Sequence, residues 1–78
     1  MHYDQIAAGQ VIRRLRLQKH MTQDLLSGFA GIARSHLSMI ENGTKQANME
    51  TLWRIALALE IRPSQLVEAI EAEIAQQT

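Results

Sequence analysis

The sequence predicts an all-α fold, a five-helix domain, and three observations carry that prediction. No segment alternates β-branched and polar residues for more than a few positions. Apolar side chains recur instead at spacings of three and four. Capping residues, glycines and a single proline punctuate the chain between those segments. The first helix runs from about Asp4, its N-cap, to His20, with Ile6, Gly9, Ile12, Leu15 and Arg16 in helical register and Ile12 and Leu15 on one buried stripe. Glycine inside a helix costs roughly 1 kcal/mol relative to alanine, so Gly9 predicts the close approach of another helix. Thr22 caps a second helix, Asp24 complements its dipole, and Leu25, Leu26 and Phe29 precede a stop at Gly31. A third begins near Ala33 or Arg34, turns Leu37 and Ile40 inward and ends at Asn42-Gly43. After a polar loop over residues 44–47, Asn48 caps a fourth helix whose core face is Leu52, Ile55, Ala56 and Leu59. Pro63 opens the fifth, over about 63–76, where Leu66, Ile70 and Ile74 recur every four residues.

A chain of 78 residues has room for one small domain, here taken as 1–78, and 46% hydrophobic residues is too apolar for a disordered tail. There is no apolar run long enough for a membrane span and no export signal. The absence of cysteine removes disulfides, thiolate zinc sites and cysteine nucleophiles, and fits a cytoplasmic setting. His2, His20 and His36 lack metal-ligand spacing, and the neighbours Ser35 and His36 point in different directions on a helix. No glycine-rich loop follows a strand. The expectation is therefore a protein that is not an enzyme and has no metal and no cofactor. Formal charge is zero, but it is unevenly distributed: residues 1–46 carry six basic and three acidic side chains, residues 47–78 two basic and five acidic. One end is basic and the other acidic, as expected of a small nucleic-acid binder.

The turn around Gly31 is the most informative stretch. Two short helices joined by a tight glycine turn, over about 22–42, form a helix-turn-helix unit. Leu26 and Ala30 face Ile32, Leu37 and Ile40, and Ser27 is small where the helices cross. The remaining face of the third helix is Arg34, Ser35, His36, Ser38 and Met39, mostly polar and unsuited to a core. Such a helix fits the major groove of double-stranded DNA.

From about Ile6 to Leu66 the chain resembles, without a gap, the lambda-repressor-like, Cro/C1-type (XRE) helix-turn-helix family. The resemblance rests on Gly9-Gln10-Val11-Ile12-Arg13-Arg14-Leu15-Arg16, Met21-Thr22-Gln23, Gly31-Ile32-Ala33-Arg34-Ser35, Leu37-Ser38-Met39-Ile40-Glu41-Asn42-Gly43 and the helix from Thr51-Leu52 to Ala58-Leu59. It implies a five-helix domain whose third helix reads the major groove, usually as a two-fold dimer. It also implies that the first helix crosses the end of the third, tied by Arg16 and Glu41 as a structural pair. The chain departs from the family at Ala33, where a capping Ser or Thr is usual, at Ala47 in place of a loop proline, and at the apolar Leu25 and Phe29.

Within that frame Arg34 is the first candidate for base readout, because a guanidinium grips O6 and N7 of guanine bidentately. Ser35, His36 and Ser38 are candidates for base or phosphate contacts, and Met39 for a thymine methyl. Gln23, in the first turn of the second helix, is placed for a phosphate or for a neighbouring side chain of the third helix. Asn42, Thr44 and Lys45 follow the recognition helix and are candidates for the DNA backbone. Arg13, Arg14 and Lys19 supply general positive potential, while Glu68, Glu71 and Glu73 read as solvated helix surface. Leu66, Val67, Ile70 and Ile74 make a stripe wider than a chain end in water needs, which assigns them to homodimerisation. Trp53 and Leu57 are surplus to the fourth helix's core face. The resulting expectation is a DNA-binding transcriptional regulator, acting as a repressor and homodimer on a palindromic operator. The alternative is an antitoxin-like interaction module that sequesters a protein partner and autoregulates.

Overall fold

The carboxylate of Asp4 accepts the Ile6 amide at 2.9 Å and so starts α1 (Gln5–Gln18). In the computed structural model, which describes residues 1–77, the remaining boundaries follow from similar local devices. Thr22 caps α2 (Gln23–Ala30) by accepting the Leu25 amide at 3.1 Å, and Gly31 ends it in the left-handed region at φ 71°. The next helix, α3 (Arg34–Glu41), starts at Ala33 with no side-chain cap and is followed by Gly43 at φ 83°. Asn48 caps α4 (Met49–Ala58) through the Thr51 amide at 2.8 Å. Pro63 begins α5 (Pro63–Gln76), where the missing amide proton has no helical partner to lose. Among the described residues there is no strand.

Two turns differ from the sequence reading or add to it. The first helix ends at Gln18, not His20, because His20 takes the left-handed conformation at φ 57° and reverses the chain toward α2. Glu60 does the same after α4, at φ 62°.

Helix α1 packs on α3 and α5, α2 packs on α3 and α4, and α4 packs on α5. The core between them holds Val11 and Ile12 of α1, Leu26 of α2, Leu37 and Ile40 of α3, Ile55 and Leu59 of α4, and Leu66 and Ile70 of α5. Gly9 sits where α1 crosses the end of α3. A Cβ there would run into the Ile40 carbonyl oxygen and lie 2.7 Å from that of Glu41. The close approach predicted from a glycine in mid-helix is real, and its partner is backbone.

The assignment of the α5 stripe to homodimerisation needs correction. Leu66 is fully buried, and Ile70 and Ile74 are only 3% and 7% exposed within a single chain. Four-residue spacing places these three side chains on one face, and that face packs against the domain's own core. Val67 alone of the four faces outward, at 43% exposure.

Candidate nucleic-acid interface

Helix α2 lies across α3, and the crossing is built from small and apolar residues. Leu26 and Ala30 are buried against the core that Leu37 and Ile40 share. Ser27, buried at the crossing, donates its hydroxyl to the Asp24 carbonyl at 3.2 Å, so no polar group is stranded there. The inward pull of Leu37 and Ile40 fixes what the opposite ridge of α3 must be. Arg34, Ser35 and Met39 are exposed on it, and His36 and Ser38 are half-buried. Arg34 Nε lies 3.2 Å from Asp24 Oδ1, with both side chains largely in solvent. An ion pair so exposed is weak and readily exchanged for another acceptor.

Behind this ridge stands a buried ionic tie. Arg16 Nε donates to Glu41 Oε2 at 2.8 Å, Arg16 Nη2 to Glu41 Oε1 at 2.9 Å, and Arg16 Nη1 to the Met21 carbonyl at 2.9 Å. The fork joins α1, the turn before α2 and the end of α3, which fits the structural role that the resemblance implies for Arg16 and Glu41. The hydrogen bonds to Glu41 hold the Arg16 guanidinium above its ordinary pKa, against the downward pull of burial. Buried pairs of this geometry fix orientation more than they add stability.

Of the two partners open to Gln23, the structure supplies the side chain of α3: its Nε2 donates to Glu41 Oε1 at 3.1 Å. At the far end of α3, Asn42 Oδ1 accepts the Thr44 amide at 3.0 Å and the Thr44 hydroxyl at 2.7 Å. The Thr44 hydroxyl is thus occupied within its own loop, while Lys45 remains exposed beside it.

Two cations differ from their sequence reading. Arg14, taken as diffuse potential, is held by Glu73 at 2.8 Å and ties α1 to α5. Glu73 is correspondingly not simply solvated. Arg13, also taken as diffuse, stands with Gln23, Ser38, Glu41 and Asn42 around one depression of about 290 Å³. A signal for this was present in the helical spacing. Arg13 lies four residues after Gly9 and three before Arg16, and both of those face α3.

The helix-turn-helix family matches residues 12–66. Control protein C.BamHI of Bacillus amyloliquefaciens is 33% identical over 61 residues, spanning 77% of this chain and 75% of its own. Among solved structures, the restriction-modification controller protein C.AhdI from Aeromonas hydrophila superposes with a TM-score of 0.78 at 31% identity, over 83% of this chain and 98% of that one. The wild-type restriction-modification controller protein C.Esp1396I superposes with a TM-score of 0.86 at 26% identity, over 97% of this chain and 99% of the other. A tight turn at Gly31, a second helix braced on the core and a family match across both place this chain in the helix-turn-helix family of Cro/C1 (XRE) type, whose members are DNA-binding transcription regulators.

Proposed function

We propose that this chain is a sequence-specific transcriptional regulator of the cytoplasm that binds a two-fold operator as a homodimer. Similarity to restriction-modification controller proteins supports one biological class, a small regulator of a restriction-modification system. One observation carries the reading. The ridge of Arg34, Ser35 and Met39 stands outside the core on a short helix whose other face is fully buried. In a major groove Arg34 exchanges the exposed Asp24 carboxylate for a guanine edge, a contact worth about 1–3 kcal/mol of discrimination. Ser35, His36 and Ser38 supply shorter donors, and Met39 packs on a thymine methyl. Gln23, Asn42 and Lys45 flank that ridge and take the sugar-phosphate backbone, setting register without reading sequence, while Thr44, whose amide and hydroxyl both go to Asn42, orders the loop beside them.

Homodimerisation, in this reading, uses the exposed apolar residues of α4 and α5: Met49, Trp53 and Val67. A two-fold axis through that face presents two α3 helices to half-sites about one DNA turn, roughly 34 Å, apart.

The test is selection of bound duplexes from a random pool. The wild-type chain should enrich a repeated half-site with two-fold symmetry. Arg34→Ala should abolish preference at one position of each half-site while the fold persists. Enrichment of no sequence sinks the reading, and enrichment of a single unrepeated site sinks the dimer.

A further inference from the structure

The loop that follows α3 is fastened to that helix from within and to α1 from outside. The Gly43 amide donates to the Ile40 carbonyl at 3.2 Å, and the Thr44 and Lys45 amides both donate to the Met39 carbonyl, at 3.0 and 3.2 Å. Asn42 Oδ1 holds the Thr44 amide and hydroxyl. These bonds fold residues 42–45 back onto the last turn of α3. The Gly43 carbonyl takes part in none of them. Among the described residues it accepts only from the side chain of Gln5, whose Nε2 donates to it at 2.8 Å across 38 positions of sequence. A carbonyl can only accept, so the Gln5 amide must turn its amino group to the loop. Packing at the same spot is close. A Cβ on Gly43, which is buried at φ 83°, would lie 2.8 Å from Ile6 Cγ1 and 3.1 Å from Ile6 Cα. The first turn of α1 thus grips Gly43 through a hydrogen bond from one residue and van der Waals contact with the next.

The grip falls two residues before Lys45, which is exposed and has no acidic partner among the described residues. The Lys45 amide hangs on Met39, a residue of the exposed ridge of α3. A cation whose backbone is fixed relative to that ridge meets a phosphate without first ordering its loop, and that ordering cost is what preorganisation removes. Building on the DNA-binding reading above, we propose that Gln5 is a positioning residue: from α1 it holds the Gly43 carbonyl, and so sets Lys45 against one backbone phosphate at a fixed offset from α3. Without the Gln5 donor, the loop keeps its bonds to α3 but loses its brace on the rest of the domain.

The test uses the full chain and a fluorescent mixed-sequence duplex, titrated across a series of salt concentrations. Lys45→Ala should lower the slope of log K against log salt by about 0.9, the share of one phosphate. Gln5→Met keeps the length of the side chain and removes its donor. It should weaken binding about 2- to 10-fold, the range of one hydrogen bond, and shift the slope in the same direction as Lys45→Ala. Added to Lys45→Ala, it should cost nothing further. A residue that only stabilises the fold would leave the slope alone. Backbone amide relaxation should show Gly43, Thr44 and Lys45 rigid in the wild-type chain and mobile on the ps–ns scale in Gln5→Met, with α3 unchanged. Additive losses, an unchanged slope in either single variant, or a loop equally rigid without the donor overturns the positioning role. Circular dichroism checks folding. Should Gln5→Met not fold, side-chain amide NMR of the wild-type chain decides: one Gln5 proton shifted downfield and slow to exchange supports the brace, and two equivalent, fast-exchanging protons overturn it. A wild-type chain that ignores duplex at low salt defeats the DNA-binding reading itself, whereas wild-type binding that Gln5→Met leaves unchanged defeats this inference alone.

Discussion

At the scale of single residues, two helical glycines show how the same residue type answers opposite demands. Gly28, in α2, would meet nothing within 4 Å if it carried a Cβ. Gly28→Ala should therefore recover the helix-propensity difference and stabilise the domain by up to about 1 kcal/mol. Gly9→Ala gains the same propensity but drives its methyl into the Ile40 and Glu41 carbonyls, which belong to backbone and cannot rotate away. Overpacking of a rigid contact costs about 1–3 kcal/mol or more, so the clash wins and the net effect is destabilising. Urea unfolding of both variants checks this, with the midpoint rising for Gly28→Ala and falling for Gly9→Ala at constant slope. A rise for both would show that α1 and α3 are not in backbone contact. The Arg16–Glu41 tie lies beside the same crossing, and its pH behaviour follows from the sign of the shift. A guanidinium raised above its ordinary pKa contributes fully below that ordinary value and loses its contribution only as pH climbs through the raised one. No titration of Arg16 in the neutral or mildly alkaline range loosens α3.

At the scale of elements, α3 is the helix with the most demanding task and the poorest start. Ala33 makes no side-chain cap, whereas Asp4, Thr22 and Asn48 each accept a first-turn amide of their own helices. Ala33→Ser should supply that acceptor and stabilise the domain by about 1 kcal/mol, read as a melting temperature higher by about 4–8 °C in a domain of this size. An unchanged or lower melting temperature would mean that the extended backbone at Ala33 does not suit a cap. The caps also explain what sequence makes legible. Each is a local hydrogen bond between residues two or three apart, so the starts of α1, α2 and α4 follow from residue type alone, as the start of α5 follows from Pro63. The left-handed turns at His20 and Glu60 carry no mark as plain as a glycine would be. The apolar stripe of α5 is evident in the sequence, but periodicity tells which face is apolar and not what covers it. That gap makes a dimer surface of Leu66, Ile70 and Ile74 when they belong to the core. The polar ridge of α3 is legible because burying Leu37 and Ile40 leaves it nowhere else to point. The bond from Gln23 to Glu41 and the placement of Arg13 are legible only in part: the sequence offers an α3 side chain to Gln23 and helical spacing turns Arg13 toward α3, but which groups meet depends on how three helices pack.

At the scale of the whole molecule, the remaining question is what covers Met49, Trp53 and Val67. Two adjoining depressions on this face share Met49, Val67 and Glu71 as walls, one continuing to Trp53 and Pro63 and the other to Met1 and Tyr3. Neighbouring apolar side chains around shared walls are more than the scattered surface residues any small domain shows. If a second copy covers them, a charge at Val67 should separate the protomers without harming either, because the side chain is 43% exposed within a single chain. Val67→Glu should sediment near the 8.8 kDa of one chain while the unmodified protein sediments near twice that mass, with the far-ultraviolet spectra alike. Ile70→Glu makes the control. Its side chain is 3% exposed, so a carboxylate there is buried without a partner and the domain should unfold, which would pass for dissociation if mass alone were measured. The consequence for DNA is steep. Linking two half-site interactions raises affinity by about 10²–10⁴ over one, so Val67→Glu should bind a two-fold site at least about 100-fold more weakly and a single half-site almost as well as before. A wild-type chain that stays monomeric at high micromolar concentration, or Val67→Glu that keeps full affinity for the double site, would show that two copies do not meet through this face.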